Sequence, residues 1–214
     1  MDARTQELSD AHDVLAEFYA ERLAGALEQM PVEQAVLGLF ARLVRESGLG
    51  VEVADIGCGT GRLAPFLTAH GLSPRGLDLS PEMITVARRD QPGFTFEQGD
   101  VRALPYADAS LGGALGWYSL MYLTPDDRAV AFGELARVVK PGGHLAMAYK
   151  MGDDSQRRGG RTVNLGVEFD IWWHSADEVA GRLDAAGFEV EFAGRVPQSE
   201  EWPQPQGYAV ARRR

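Results

Sequence analysis

Three glycines at alternate positions, Gly57, Gly59 and Gly61, separate an apolar run from a helical pattern, and no other segment restricts the fold as strongly. Residues 51–56 read as a buried strand, and the chain from Arg62 onward carries the helix period in Leu63, Phe66 and Leu67. Glycine tolerates positive φ and lacks a Cβ, so main-chain N–H groups in such a loop can come close to a ligand. Asp55 stands at the carboxyl end of the strand, the edge where open α/β sheets bind ligands.

The spacing narrows the choice of ligand. A dinucleotide loop, G-x-G-x-x-G, would need a glycine where Arg62 stands, so the third glycine comes one residue early. A phosphate loop needs Gly-Lys-Ser/Thr, whereas Gly61 is followed by Arg62 and Leu63. What remains is an acid-x-Gly-x-Gly-x-Gly loop after a first strand.

The surrounding pattern predicts an α/β fold. Helices are expected over residues 8–27 and from Pro31 to about Gly48. Strands follow at 51–56, 75–79, 94–98, 111–118 and 144–149, with helices at 62–70, 81–89 and 125–138 between them. This alternation implies a mostly parallel sheet with helices on both faces. Residues 151–160 are polar and carry glycine, which predicts a mobile loop, and 162–173 read as an extended flap. Ser175 with Glu178 forms a capping box for a helix ending at Gly187, and two last strands are expected at 188–196 and 207–212.

At 214 residues, a single domain is expected: N-terminal helices at 1–48, a core at 49–150, the flap at 151–174 and a C-terminal helix with strands at 175–214. A net charge of −10 argues against nucleic acid as partner. Basic clusters at Arg157, Arg158 and Arg161, and at 212–214, read as solvated surface. One cysteine, no signal-peptide pattern at Met1-Asp2-Ala3-Arg4 and no bilayer-length apolar run point to a cytoplasmic protein without a membrane partner, monomeric or homodimeric.

Several ordered motifs resemble the class I S-adenosylmethionine-dependent methyltransferases. They are the loop itself, Gly76-Leu77-Asp78-Leu79-Ser80, Gly99-Asp100-Val101, the 103–110 approach to the fourth strand, and 134–143 ending in Lys140-Pro141-Gly142-Gly143. The resemblance implies a Rossmann-like seven-stranded sheet with an antiparallel last strand and an N-terminal helical lid. It also implies S-adenosylmethionine as cofactor and S-adenosylhomocysteine as product. Its cofactor residues would be Tyr19, Asp55, Gly57, Cys58, Gly59, Gly61, Asp78, Leu79, Met83, Asp100, Val101 and Trp117. In this family Asp78 would accept the ribose hydroxyls and Asp100 the adenine amino group. Met83 would pack on the ring, and Tyr19 resembles a lid tyrosine.

The fourth-strand exit, Gly116-Trp117-Tyr118-Ser119-Leu120-Met121-Tyr122, lacks the Asn/Asp-Pro-Pro-aromatic motif of the family's base and glutamine N-methyltransferases. The likeness is instead to bacterial quinone-biosynthesis and natural-product tailoring enzymes, with a small organic acceptor. O-methylation leads, with C- or N-methylation behind it. Tyr118, Met121, Tyr122, Tyr149, Trp172 and Trp173 are candidate lining residues for the acceptor cavity. Of His12, His70, His144 and His174, the last is best placed in sequence as a catalytic base. A non-catalytic binder of S-adenosylmethionine or S-adenosylhomocysteine is the alternative, and a nucleotide-dependent oxidoreductase stands third.

Overall fold

The computed structural model describes residues 2–153, 155–160, 164–199 and 203–214; Arg161 and Thr162, the start of the expected flap, fall outside the described residues. α1 (Ala3–Leu23) is capped by the Asp2 side chain, which accepts from the Thr5 backbone N–H. α2 (Pro31–Glu46) begins with proline, where the missing N–H would have had no helical partner. Between them Gly25 takes φ 65° and a 3₁₀ turn covers Ala26–Gln29, so the first helix ends earlier than its apolar periodicity suggests.

Strand and helix then alternate through β1 (Glu52–Ile56), α3 (Ala64–Ala69), β2 (Ser73–Asp78), α4 (Pro81–Asp90), β3 (Thr95–Gln98), β4 (Leu111–Trp117), α5 (Pro125–Val138) and β5 (Val139–Lys150). Ser80 and Thr124 cap α4 and α5, each followed by proline. The chain closes with β6 (Gln156–Gly159), β7 (Phe169–Trp172), α6 (Ala176–Ala185), β8 (Phe188–Val196) and β9 (Gln206–Arg213). Ser175 accepts from the Glu178 backbone N–H, as the capping box requires.

Seven strands form one sheet in the order β3-β2-β1-β4-β5-β9-β8. The first five in that order are mutually parallel, and β9 runs antiparallel to both β5 and β8. This is the Rossmann-like arrangement with an antiparallel last strand. Among the described residues, no helix is long and apolar enough to cross a membrane.

Two local expectations change. Lys140-Pro141-Gly142-Gly143 lies inside β5 rather than before it, at an irregularity where pairing passes from Leu111↔Val139 to Gly113↔His144. Gly142, at φ 84°, absorbs the bulge and lets the ladder resume. The loop expected over 151–160 contains β6, paired antiparallel with β7 in a two-stranded sheet. The polar sequence of β6 hides a strand because its support is distant: Arg158 pairs with Asp170 at 2.8 Å and with Glu7 of α1 at 2.8 Å.

Alternation sorts the sheet's two faces. Ala54, Ile56, Ala114, Leu145, Met147, Tyr149, Ala209 and Ala211 pack with Phe132 and Leu135 of α5 and Val179 and Leu183 of α6. Val53, Leu115, Trp117, Ala146, Ala148, Tyr208 and Val210 face the other way, onto Leu37, Phe40 and Val44 of α2 and Leu67 of α3. Each fully buried side chain of this size contributes roughly 1.5–3 kcal/mol.

A polar staple joins α5, α6 and β7. Arg128, fully buried, donates to Glu178 at 3.0 Å and reaches the Trp172 carbonyl at 3.4 Å. Arg182 also donates to Glu178, and His174 Nδ1 lies 2.8 Å from its other oxygen. Burial would raise the Glu178 carboxyl, but the hydrogen bonds of His174 and Arg182 and the charge of Arg128 hold it at about 2. Its folded pKa is thus depressed, so its stabilisation is complete above the ordinary glutamate range and is lost as pH falls from about 4.5 toward 2. Glu178→Gln is expected to cost about 3 kcal/mol at neutral pH, since it breaks a buried ion pair and removes the carboxylate that Arg128, Arg182 and His174 share. It should also flatten the pH dependence of urea-unfolding free energy between pH 4.5 and 2, measured against the parent protein.

Candidate active site

The glycine loop turns the chain from β1 toward α3 and is tied to the end of β2. Gly57 N–H and Cys58 N–H both donate to the Leu77 carbonyl, at 2.7 and 3.0 Å. Gly59 N–H donates to Asp78 Oδ2 at 2.8 Å. The three glycines have positive φ, of 74°, 54° and 76°, but different surroundings. A Cβ on Gly57 would fall 2.2 Å from that of Ser119, and one on Gly61 would fall 2.5 Å from the Phe96 ring. A Cβ on Gly59 would meet only Met83 Sδ, at 3.9 Å. Two glycines therefore allow close packing, and Gly59 borders open space.

That space is a cavity of about 290 Å³ beyond the carboxyl ends of the parallel strands. Of the residues singled out from sequence, Tyr19, Asp55, Gly57, Cys58, Gly59, Asp78, Leu79, Met83, Asp100, Val101, Trp117, Tyr118, Met121 and Tyr122 line it. Gly61, Tyr149, Trp172, Trp173 and His174 are not among its lining residues. Gly61 packs under Phe96. Tyr149 projects from the opposite sheet face and meets the His174 ring at 5.7 Å. Trp172 lies under Arg4, and Trp173 under the Arg157 guanidinium at 4.1 Å. His174 is fully buried against Glu178. Two other histidines are occupied elsewhere: His70 contacts the Phe66 carbonyl at 2.8 Å, and His144 faces Glu191 at 3.3 Å.

The cavity's carboxylates differ in state. Asp55 is buried, with Oδ1 lacking a hydrogen-bond partner, and burial pushes its pKa up to about 7 against the pull of Arg62. Asp78 is raised by burial, although Ser80 N–H and Gly59 N–H donate to its two oxygens. A carboxylate has about four acceptor sites, so these two bonds leave it capacity for more. Asp100 accepts from Arg102 through both oxygens, and Arg102 continues to Asp127 at 3.1 Å and Thr5 at 2.8 Å. Burial, then the nearby Asp78 and Asp55, push the Cys58 thiol well up, which disfavours a reactive thiolate.

Sequence reasoning missed several lining groups. Glu33, at the start of α2, accepts from Trp117 Nε1 at 3.0 Å and Tyr118 hydroxyl at 2.9 Å, and Arg62 lies 3.6 Å away. Tyr118, at φ 57°, has one hydroxyl proton, which Glu33 takes; its oxygen also lies against the Gln206 side-chain amide and 3.0 Å from the Tyr208 hydroxyl, which donates to Gln206 Oε1 at 2.8 Å. His12 of α1 faces the rings of Tyr122 at 4.8 Å and Phe169 at 5.1 Å. Its Nδ1 lies 2.9 Å from the Leu8 carbonyl, which only accepts, so the proton resides on Nδ1 and the lone pair on Nε2. Burial lowers its pKa, with Asp78 opposing. The only local signal for these residues was residue type, since the tertiary fold brings each one in from a separate element.

The unequal surroundings of the glycines can be tested by chemical denaturation. Gly59→Ala should cost about 1–2 kcal/mol through backbone strain alone. Gly61→Val should cost roughly 3–5 kcal/mol, because strain is joined by overlap with Phe96.

Residues 53–143 match a family model described as a methyltransferase domain. An O-methyltransferase of Pyrenophora dematioidea is 31% identical over 170 residues, covering 76% of this chain and 62% of the relative. A malonyl-[acyl-carrier protein] O-methyltransferase of Pectobacterium atrosepticum is 34% identical over 129 residues, covering 59% of this chain and 49% of the relative. The chain thus spans from about half to three fifths of the length of these curated relatives. Among solved structures, a methyltransferase of Methanosarcina mazei aligns with TM-score 0.68 and 20% identity, over 77% of this chain and 92% of that one. The 1,6-didemethyltoxoflavin-N1-methyltransferase of Burkholderia thailandensis aligns with TM-score 0.65 and 20% identity, over 100% of this chain and 91% of that one. The family match falls on the glycine loop and the strands that frame the cavity, and the solved structures share the seven-stranded fold, so residues 53–143 are similar to a methyltransferase domain.

Proposed function

We propose that this protein binds S-adenosylmethionine and transfers its methyl group to a small organic acceptor, with oxygen the favoured acceptor atom, releasing S-adenosylhomocysteine. One observation carries the donor assignment. Beside the glycine loop, Asp55 Oδ1 and Arg62 Nη1 are buried without hydrogen-bond partners. Buried polar atoms of opposite character, left unpaired in one cavity, are complementary to an amino-acid zwitterion. The methionine end of the donor supplies one: Asp55 would hold its ammonium group and Arg62 its carboxylate. Gly59 allows close approach, Asp78 offers acceptor sites to ribose hydroxyls, and Met83, with Leu79 and Val101, forms an apolar wall for adenine.

When bound, the donor supplies an electrophilic methyl group on a sulfonium centre. The chain's own task is to orient the acceptor, exclude water and keep the reacting atoms aligned. α1 serves as the cover. Ser9 approaches the Leu79 carbonyl at 3.5 Å, Asp13 accepts from Ser80 Oγ at 2.5 Å, and Tyr19 and His12 close the wall over the site. Tyr118, Met121 and Tyr122 line the acceptor side. His174 supports the scaffold through Glu178 in this reading. The O-methyltransferase names of the curated relatives support oxygen as acceptor.

Calorimetry with S-adenosylmethionine and NAD tests the donor assignment: binding of S-adenosylmethionine alone is expected, and binding of NAD alone overturns it. Affinity should rise as pH increases through about 7, because the ionised form of Asp55 pairs with the donor ammonium. Asp55→Asn should remove that pH dependence and weaken binding by roughly 10–100-fold, the value of a charge-assisted hydrogen bond. His174→Gln should lower the melting temperature while leaving donor affinity unchanged. Donor binding without labelled-methyl turnover on any of a panel of phenols, carboxylic acids and amines would favour the non-catalytic reading.

A further inference from the structure

The cavity's cations are almost all committed. Arg4 pairs with Asp127, Arg62 with Glu33, and Arg102 with Asp100 and Asp127. Lys150, at the last position of β5, also lines the cavity. Among the described residues, no carboxylate lies within ion-pair distance of its ammonium group and no acceptor receives a hydrogen bond from it. Burial lowers its pKa, with no charged neighbour raising it.

Its surroundings are polar but spent. Lys150 stands opposite Gln206 in the β5–β9 ladder, on the sheet face that carries Trp117 and Tyr208. Gln206 Oε1 accepts from the Tyr208 hydroxyl, and the two Glu33 oxygens accept from Trp117 Nε1 and the Tyr118 hydroxyl. An ammonium at a cavity wall with no counter-ion gains an ion pair when a ligand brings the negative charge.

On the reading of this cavity as a methyl-transfer site, the geometry points to an anionic acceptor, a carboxylate or another ionised oxygen acid, whose charge is met by Lys150. In the transfer, a lone pair of the ionised oxygen forms the new C–O bond as the methyl C–S bond breaks. The C–S pair goes to sulfur and neutralises the sulfonium. No proton has to leave the acceptor, so no general base is needed. The product is a neutral ester or ether, so Lys150 holds it less tightly than the substrate.

Benzoate, benzamide and methyl benzoate are matched probes, titrated by calorimetry into the protein with and without saturating S-adenosylhomocysteine. Benzoate is expected to bind roughly tenfold or more tightly than the two neutral probes. Lys150→Met should bring the three within about threefold, and Lys150→Arg should keep the benzoate preference. The melting temperature of Lys150→Met should not fall, since no ion pair is lost.

Equal binding of benzoate and benzamide, no binding of benzoate, or a benzoate preference that survives Lys150→Met overturns the assignment. A tenfold loss of S-adenosylhomocysteine affinity in Lys150→Met also overturns it, since Lys150 would then hold the donor. If the parent protein fails to bind S-adenosylhomocysteine, the methyl-transfer reading fails; the titration without S-adenosylhomocysteine still decides whether Lys150 selects an anion.

Discussion

The short set of bonds between the glycine loop and the end of β2 is the constraint on which the site depends. The Leu77 carbonyl receives two loop N–H groups and the Asp78 carboxylate receives a third, so the loop and the second strand end share one geometry. Phe96 packing over Gly61 and Ser119 packing against Gly57 hold that turn from both sides. Any side chain at either glycine would push the loop away from β3 or from the β4 exit. The cavity floor would move with it, because the floor is made of that loop, those strand ends and that exit.

The second feature is the accumulation of charge and hydroxyl groups on the α2 face of the sheet. Asp55, Glu33, Arg62, Trp117, Tyr118 and Gln206 gather at the cavity wall, although such groups are costly to bury singly. Glu33, Trp117, Tyr118, Gln206 and Tyr208 form one hydrogen-bonded cluster in that part of the wall. Asp55 Oδ1 and Arg62 Nη1 are buried outside this cluster without hydrogen-bond partners, and Lys150 lines the cavity beside it. A stable interior retains uncompensated polar groups where a ligand completes them.

Much of the fold was legible because its rules are local. The β1–loop–α3 turn followed from Gly57, Gly59 and Gly61, the α6 start from Ser175 and Glu178, and the mostly parallel sheet from the alternation of elements. The β6–β7 hairpin was hidden because its polar strand is stabilised by ion pairs across 12 residues to Asp170 and across 151 to Glu7. His174 looked well placed between Trp173 and the Ser175 cap, but the α6 docking that its neighbours create turns it into the scaffold. His12 was one of four candidate histidines with nothing local to favour it, yet α1 lies over the α4 start and brings its ring to Tyr122.

Sequence alone determined the alternating α/β order, the glycine loop with Asp55 before it and Asp78 after it, and the helix caps. Each of these depends on backbone freedom or hydrogen bonding within a few residues. Tertiary structure decided which side chains meet in the cavity. Tyr149 and Lys150 are neighbours in the chain, yet successive residues of β5 face opposite sides of the sheet. Tyr149 goes to the α5–α6 core and Lys150 to the cavity wall. What Lys150 meets there depends on the register of β5 with β9 and on where α2 places Glu33, neither of which any local pattern records.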